Sequence, residues 1–260
     1  MRDRKALQAG TSHYLGQNFA KAYGVKFLGR DGQEHFAYAT SWGVSTRLIG
    51  GVIMTHGDDK GLRLPPALAP IQVVVVPIYR AEDEKALVLE AAAKIAAELT
   101  PLRVHVDDRA EFRPGYKFNE WELKGVPVRI ELGPRDLDAG QVTLARRDVE
   151  GKQACPVPEV TARITALMDE VQDSLFRQAV EFRDAHTFRA NDYGELAKLV
   201  DDPGGFVVGG WCGDAECEAK VKADTKATIR YLPLDPEPAE GDCLVCGRRA
   251  TEEAAWAVAY

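Results

Sequence analysis

The stretch Ile71 to Tyr79, IQVVVVPIY, limits what this chain can become more than any other. An unbroken apolar run of strand length is what a parallel strand covered on both faces requires, whereas a half-exposed strand alternates with polar residues. The chain that follows fits such a strand. Glu82 to Leu99 is predicted to be a helix, acidic at its start, rich in alanine and leucine, and stopped by Thr100-Pro101. A strand at Leu102–Val106, a helix around Lys117–Leu123 and strands at Val126–Leu132 and Gln141–Arg147 are expected next. Strands alternating with helices argue for a compact α/β domain with a mixed sheet. Val157 to Arg189 is expected to hold a long amphipathic helix, with Val160, Ile164, Leu167, Val171, Leu175 and Phe182 on one buried stripe.

A chain of 260 residues has room for two or three such domains, and 45% hydrophobic with 28% charged residues is ordinary for a globular protein. Neither a secretory-type leader nor an apolar run long enough to span a bilayer is seen, so a cytoplasmic protein without membrane contact is expected. The net charge of −7 argues against bulk attraction to nucleic acid. Any RNA contact must then come from a local patch and from shape.

The five cysteines are unevenly placed. Cys155, beside Pro156, is expected to be a loop or half-buried thiol. Cys212 with Cys217, and Cys243 with Cys246, form two short-spaced pairs. Without a leader, that grouping favours metal over disulfides. Four thiolates in two knuckles suit tetrahedral Zn²⁺ and leave no open position, which makes the metal structural. An iron–sulfur cluster is the lesser alternative. Pro233 to Gly241 reads as a Pro-rich loop.

Thr40 to Pro70, TSWGVSTRLIGGVIMTHGDDKGLRLPPALAP, reads as strand, short helix, turn, and a strand ending at Pro65-Pro66. Ser45, Thr46 and Arg47 open the helical part, and Gly50-Gly51 allows close backbone approach. An arginine fixed there suits a phosphate, whose oxygens accept two parallel charge-assisted bonds. The plainer alternative is a surface arginine beside two glycines. His56, Asp58 and Asp59 around Gly57 read as a turn and not as a metal site. Upstream, Gln8, Thr11 and His13 lie on an extended piece, Gln8 facing opposite to the other two. A helix from Leu15 to Tyr23 would follow, with Thr11 or Ser12 near its N-cap.

The phrases SWGVSTR, MTHGDDKG and LRLPPALAPIQV together resemble motif 3 of the class II aminoacyl-tRNA synthetases, in particular the prolyl-tRNA synthetases. The resemblance implies that Arg47 grips the outer phosphates of ATP, with Ser45 and Thr46 beside it. QAGTSHYLGQNF resembles the family's strand lining the ATP and amino-acid pockets, which implies Gln8 and Thr11 at the adenosine and His13 at the proline pocket. EWELKGVPVRIELGPRDL resembles the anticodon-reading strand and turn, which implies Glu122, Arg129 and Arg135 as readers. Arg113, Lys117, Lys124, Arg146 and Arg147 complete the expected RNA-facing set. From Glu122 to Lys152 there are six Lys/Arg and six Asp/Glu, so recognition there would rest on hydrogen bonds to splayed-out bases, not on a phosphate field. Arg129-Ile130-Glu131 has the R-x-E spacing of motif 2 but lies after motif 3, and is not read as catalytic. The cysteine-rich end and the final AWAVAY resemble the zinc domain of the archaeal and eukaryote-like branch, which implies that the carboxylate of Tyr260 reaches toward the catalytic site.

The expected fold is thus an α/β and α+β multidomain chain. Residues 1–70 would be part of the class II antiparallel-sheet catalytic domain, 71–186 an anticodon-binding domain, and 187–260 a small zinc-binding domain. The implied function is that of a proline–tRNA ligase, which uses ATP and Mg²⁺ to activate L-proline and transfers it to tRNA(Pro), as a homodimer when full length. Motifs 1 and 2 are not found, so this chain is read as a C-terminal half that does not activate proline alone. The alternative is a zinc-containing tRNA-binding or regulatory module without ligase activity.

Overall fold

A computed structural model describes residues 1–235, 239 and 241–260. Two compact units emerge: residues 52–188 with Arg2, and residues 3–51 with 189–260 and Met1.

The second of these begins with β1 (Thr11–Gly16), α1 (Asn18–Tyr23), a hairpin of β2 (Lys26–Leu28) and β3 (Glu34–Phe36), and β4 (Ala39–Gly43). β4 returns to pair antiparallel with β1, placing Thr11 opposite Gly43 and His13 opposite Ser41. That pairing overrides the helix expected from Leu15. Leu15 and Gly16 finish the strand, Gly16 turns the corner at φ 54°, and Thr11 and Ser12 are strand residues that cap nothing. α2 (Arg47–His56) follows the loop after β4.

In the other unit, Asp58 and Gly61 exchange backbone hydrogen bonds of 3.0 Å, closing the turn read from the sequence. The strand expected before Pro65-Pro66 joins no sheet. Leu62 and Leu64 donate single backbone bonds to the carbonyls of Leu123 and Gly125, and two prolines then remove the donors that a ladder needs. The approach is close enough to require glycine: a Cβ on Gly61, at φ 128°, would stand 2.6 Å from the Leu123 Cα.

The chain continues as β5 (Val73–Pro77), α3 (Glu82–Glu98), β6 (Val104–Val106), α4 (Pro114–Leu123), β7 (Val128–Leu132), α5 (Pro134–Asp138), β8 (Gln141–Arg146) and β9 (Lys152–Pro156). A 3₁₀ turn at Val157–Glu159 then leads into α6 (Val160–Ala185). The five strands form one mixed sheet in the order β6-β5-β7-β8-β9, with β5 parallel to β6 and β7 and the remaining pairs antiparallel. β5 is buried throughout. Val73 and Val75 pack with Val88 and Ile95 of α3 and with Ile164, Leu167 and Val171 of α6, while Val74 and Val76 pack with Trp121 and Val126. This is the two-faced burial its apolar run demands. Cys155 is not a loop thiol: it lies on β9, buried in the same core.

α4 starts at Pro114, where a proline at the first helical position loses no hydrogen bond. Lys117 is removed from the expected RNA-facing set. It is 3% exposed, and its Nζ donates to the Asp107 carbonyl at 2.8 Å. Asp107 itself accepts both a two-pronged bond from Arg109 and one from Trp121 Nε1, all at 2.8 Å.

The remaining elements are β10 (Thr187–Arg189), α7 (Tyr193–Asp201), β11 (Phe206–Trp211), α8 (Ala215–Thr225), β12 (Ala227–Tyr231) and β13 (Glu252–Val258). Their sheet runs β10-β11-β13-β12, and its core gathers Leu196, Val200, Val207, Val221 and Trp256. Positions 236–238 and 240 of the Pro-rich run lie outside the described residues. Among the described residues no helix is long and apolar enough to cross a membrane.

Candidate functional site

Three groups of the residues singled out by the sequence come together in space. In the first, Arg47 opens α2 and its Nη1 donates to Gln8 Oε1 at 3.1 Å, while its backbone N–H donates to Ser45 Oγ at 3.3 Å. Thr11 stands across from Gly43, where a Cβ would lie 2.9 Å from Thr11 Oγ1, so the glycine leaves room for that hydroxyl. His13 is exposed two residues along β1, on the same face as Thr11. Thr46 is exposed in the loop before α2. Among the described residues no carboxylate pairs with Arg47, whose one side-chain partner is a neutral amide. A guanidinium left with free donors can take an anion. The chain end comes beside this group: Ala6 donates to the Val258 carbonyl at 2.9 Å, and Tyr260 N–H donates to the Ala6 carbonyl at 3.0 Å.

The second group lines a cavity of about 800 Å³ that includes Glu122, Arg129, Ala145, Arg147 and Lys152. Arg129 donates through Nε and Nη2 to Glu131 Oε1 at 3.1 and 3.0 Å, and its guanidinium carbon lies 4.3 Å from the centre of the Phe118 ring. Glu122 Oε1 is 3.9 Å from Arg129 Nη1. Arg135 is exposed on α5, apart from this lining. Arg146 is engaged with Asp148 and Glu170, and Lys124 with Glu120. Arg147 pairs with Asp58, whose carboxyl its bonds hold down at about 2. Arg113 is exposed. Glu131, Phe118 and Lys152 were not foreseen. The available signal was strand alternation, since the R-x-E spacing set aside above is also the two-residue period that puts Arg129 and Glu131 on one face of β7.

The third group is the four cysteines. Cys212 opens the loop after β11, Cys217 lies in the first turn of α8, and Cys243 and Cys246 sit on one tight loop. In that loop Cys243 N–H donates to the Arg248 carbonyl at 2.7 Å and Gly247 N–H donates back to Cys243 at 3.0 Å. Gly247 takes φ 70°, which favours glycine. The four sulfurs lie within 4.8 Å of one another, and Cys212 Sγ is 3.7 Å from Cys217 Sγ and 3.6 Å from Cys246 Sγ. A metal holding four thiolates at about 2.3 Å sets its sulfurs about 3.8 Å apart, so the donor set fits a soft tetrahedral cation. Arg248 donates Nε to Cys246 Sγ at 3.3 Å and Nη2 to Cys212 Sγ at 3.7 Å, and is itself held by Asp214. Its side chain pulls the Cys246 thiol down to about 6, while burial pushes Cys217 up to about 12.

Comparison with known proteins gives concordant results. A family model described as the anticodon binding domain matches residues 72–172, and one described as prolyl-tRNA synthetase, C-terminal, matches residues 193–260. The whole chain is 49% identical over 264 residues to a proline–tRNA ligase of Roseiflexus castenholzii. It is 50% identical over 264 residues to that of Chloroflexus aurantiacus, and 50% over 268 residues to that of Symbiobacterium thermophilum. Each alignment takes in 100% of this chain and 55% of the relative, so the chain spans about half the length of the curated relatives it matches.

Proposed function

The chain belongs to the prolyl-tRNA synthetases, and from that premise we propose that it supplies the ATP-phosphate-gripping, anticodon-reading and zinc-bearing parts of a proline–tRNA ligase. The observation that carries this reading is identity near 50% sustained from one end of the chain to the other. The division of labour would follow residues 1–70, 71–186 and 187–260, with the ligase acting in the cytoplasm as a homodimer.

In the reaction, the carboxylate of L-proline attacks the α-phosphorus of ATP and pyrophosphate leaves. The terminal adenosine of tRNA(Pro) then attacks the prolyl carbonyl and AMP leaves. Such catalysis is alignment plus neutralisation of phosphate charge. Arg47, which pairs with no carboxylate among the described residues, would hold the outer phosphates, with Ser45 and Thr46 beside it. Gln8, which fixes one edge of that guanidinium, would contact the adenosine together with Thr11. His13 would border the proline. Mg²⁺ would supply further charge neutralisation on the phosphates. Glu122, Arg129 and Arg135 would read anticodon bases by hydrogen bonding at their edges. Cys212, Cys217, Cys243 and Cys246 would hold one Zn²⁺ as a closed structural site, with no step of the reaction passing through it.

The test is proline-dependent exchange of pyrophosphate into ATP. This chain alone is expected to show none. Joined to the upstream region of one of the relatives it matches, it is expected to exchange with proline and with no other amino acid at comparable rate. A folded joined protein that does not exchange would remove the ligase reading. Retained binding of the tRNA(Pro) anticodon stem-loop without exchange would then favour a zinc-containing tRNA-binding or regulatory module.

A further inference from the structure

Side chains alternate along β7. Val128, Ile130 and Leu132 enter the core against α3 and α6, so Arg129 and Glu131 share the opposite face. Strand register sets Arg129 beside Ala145 and Ala145 beside Lys152, so two cations flank a single methyl group. That small side chain belongs to the cavity wall and leaves a notch between them.

Glu131, 6% exposed, ties the notch together. One of its oxygens accepts from Arg129 Nε and Nη2, and the other accepts from Lys152 Nζ at 2.7 Å. The Phe118 ring of α4 lies under both cations, 4.3 Å from the guanidinium carbon and 5.2 Å from the ammonium. Two N–H groups of Arg129 are therefore committed to one carboxylate oxygen and one face to a ring. The Nη1 edge remains, 3.9 Å from Glu122 Oε1, which is too far for a hydrogen bond. Among the described residues that donor edge and the Glu122 carboxylate thus stand side by side as an ion pair without a hydrogen bond between them.

We propose that Glu131 is the positioning residue of the anticodon cavity. With Phe118 as its support, it fixes the plane of Arg129 so that the Nη1 edge and Glu122 meet one guanine at a set angle. This role rests on the anticodon reading proposed above. Its consequence is that Glu131 governs discrimination more than affinity. Removing its charge loosens the guanidinium, which weakens the geometric match to a base edge. The same change leaves two nearby cations less neutralised, so attraction to RNA phosphates is kept or raised. A residue needed only for the fold would lose both together.

The experiment measures binding of the full chain to the tRNA(Pro) anticodon stem-loop, and to stem-loops in which either guanine demanded by the proline codons CCN is replaced by adenine, over a range of salt. Glu131→Gln is expected to lower the preference for the cognate loop about tenfold while non-cognate binding holds or strengthens. Glu131→Asp should restore part of the preference. Wild-type discrimination in Glu131→Gln, or equal losses on all loops with the far-UV spectrum intact, would overturn the role. Should Glu131→Gln fail to fold, Phe118→Leu carries the same test without a charge change: discrimination should fall with the salt dependence unmoved, and undiminished discrimination would overturn the proposal. A wild-type chain that prefers no loop would instead defeat the anticodon reading itself.

Discussion

Replacing Cys217 with serine is expected to abolish metal binding at the proposed four-cysteine site and unfold most of the C-terminal sheet. Cys217, buried like Cys243, is carried by α8, which packs against β12, so it ties a helix of the small core to the loop bearing Cys243 and Cys246. That core is limited: among the described residues nine buried apolar side chains form its centre, and several of them are alanine. Structural zinc supplies about 10–16 kcal/mol of binding free energy in small domains, comparable to the total stability of an ordinary domain. Three thiolates and a hydroxyl bind the metal far less tightly than four thiolates, and burial makes an unliganded group at position 217 unfavourable. Metal analysis should fall from about one zinc per chain to well below one. The near-UV signal of Trp211 and Trp256, both in or against this core, should be lost. Stoichiometric metal with an unchanged melting profile would contradict the closed four-sulfur site.

Asp107→Asn is expected to be the most destabilising single change in the mixed-sheet unit. Asp107 is fully buried; its carboxylate accepts three hydrogen bonds from Arg109 and Trp121 and lies 3.6 Å from Nζ of Lys117, itself buried. Removing one member of a buried charge cluster leaves the others uncompensated, at a cost of about 3–5 kcal/mol. The pH dependence has a definite sign. Bonds from Arg109 and Trp121, with Lys117 close by, outweigh burial and hold the Asp107 carboxyl well below the usual carboxylate range. A depressed folded-state pKa means that the carboxylate contributes fully above its unfolded pKa of about 3.9 and loses that contribution as pH falls through the folded value. Urea unfolding at pH 7 should therefore show a loss of about 3 kcal/mol or more, and the gap from wild type should close toward pH 2. A gap that is small at neutral pH, or that does not change with acid, would contradict this assignment.

The parts of the fold that the sequence foretold are those with local signals. Val73–Val76, the α3 composition and the α6 stripe each carry their burial in a few adjacent residues. What escaped depends on partners far away in the chain. β9 reads KQACP and becomes a strand because β8 offers it an edge. The chain from Thr11 to Gly16 joins a strand because β4, over twenty residues later, pairs with it. The Asp107 cluster joins side chains up to fourteen residues apart with no repeating pattern, and so it leaves no mark on periodicity. At the candidate sites the cysteine pairs announced themselves by spacing. The meeting of Arg47 with Gln8, 39 residues apart, did not, and it was reached only through the resemblance. Glu131 was hidden by looking like half of a misplaced motif.

The claim on which the account turns is that Arg47 clasps the polyphosphate of ATP. Arg47→Ala, made in the chain joined to a relative's upstream region, tests it most directly through proline-dependent pyrophosphate exchange. Exchange is expected to fall by about 100-fold or more, as loss of a charge-stabilising donor predicts, while anticodon stem-loop binding is retained. Exchange equal to that of the unsubstituted protein would show that residue 47 is only a surface arginine.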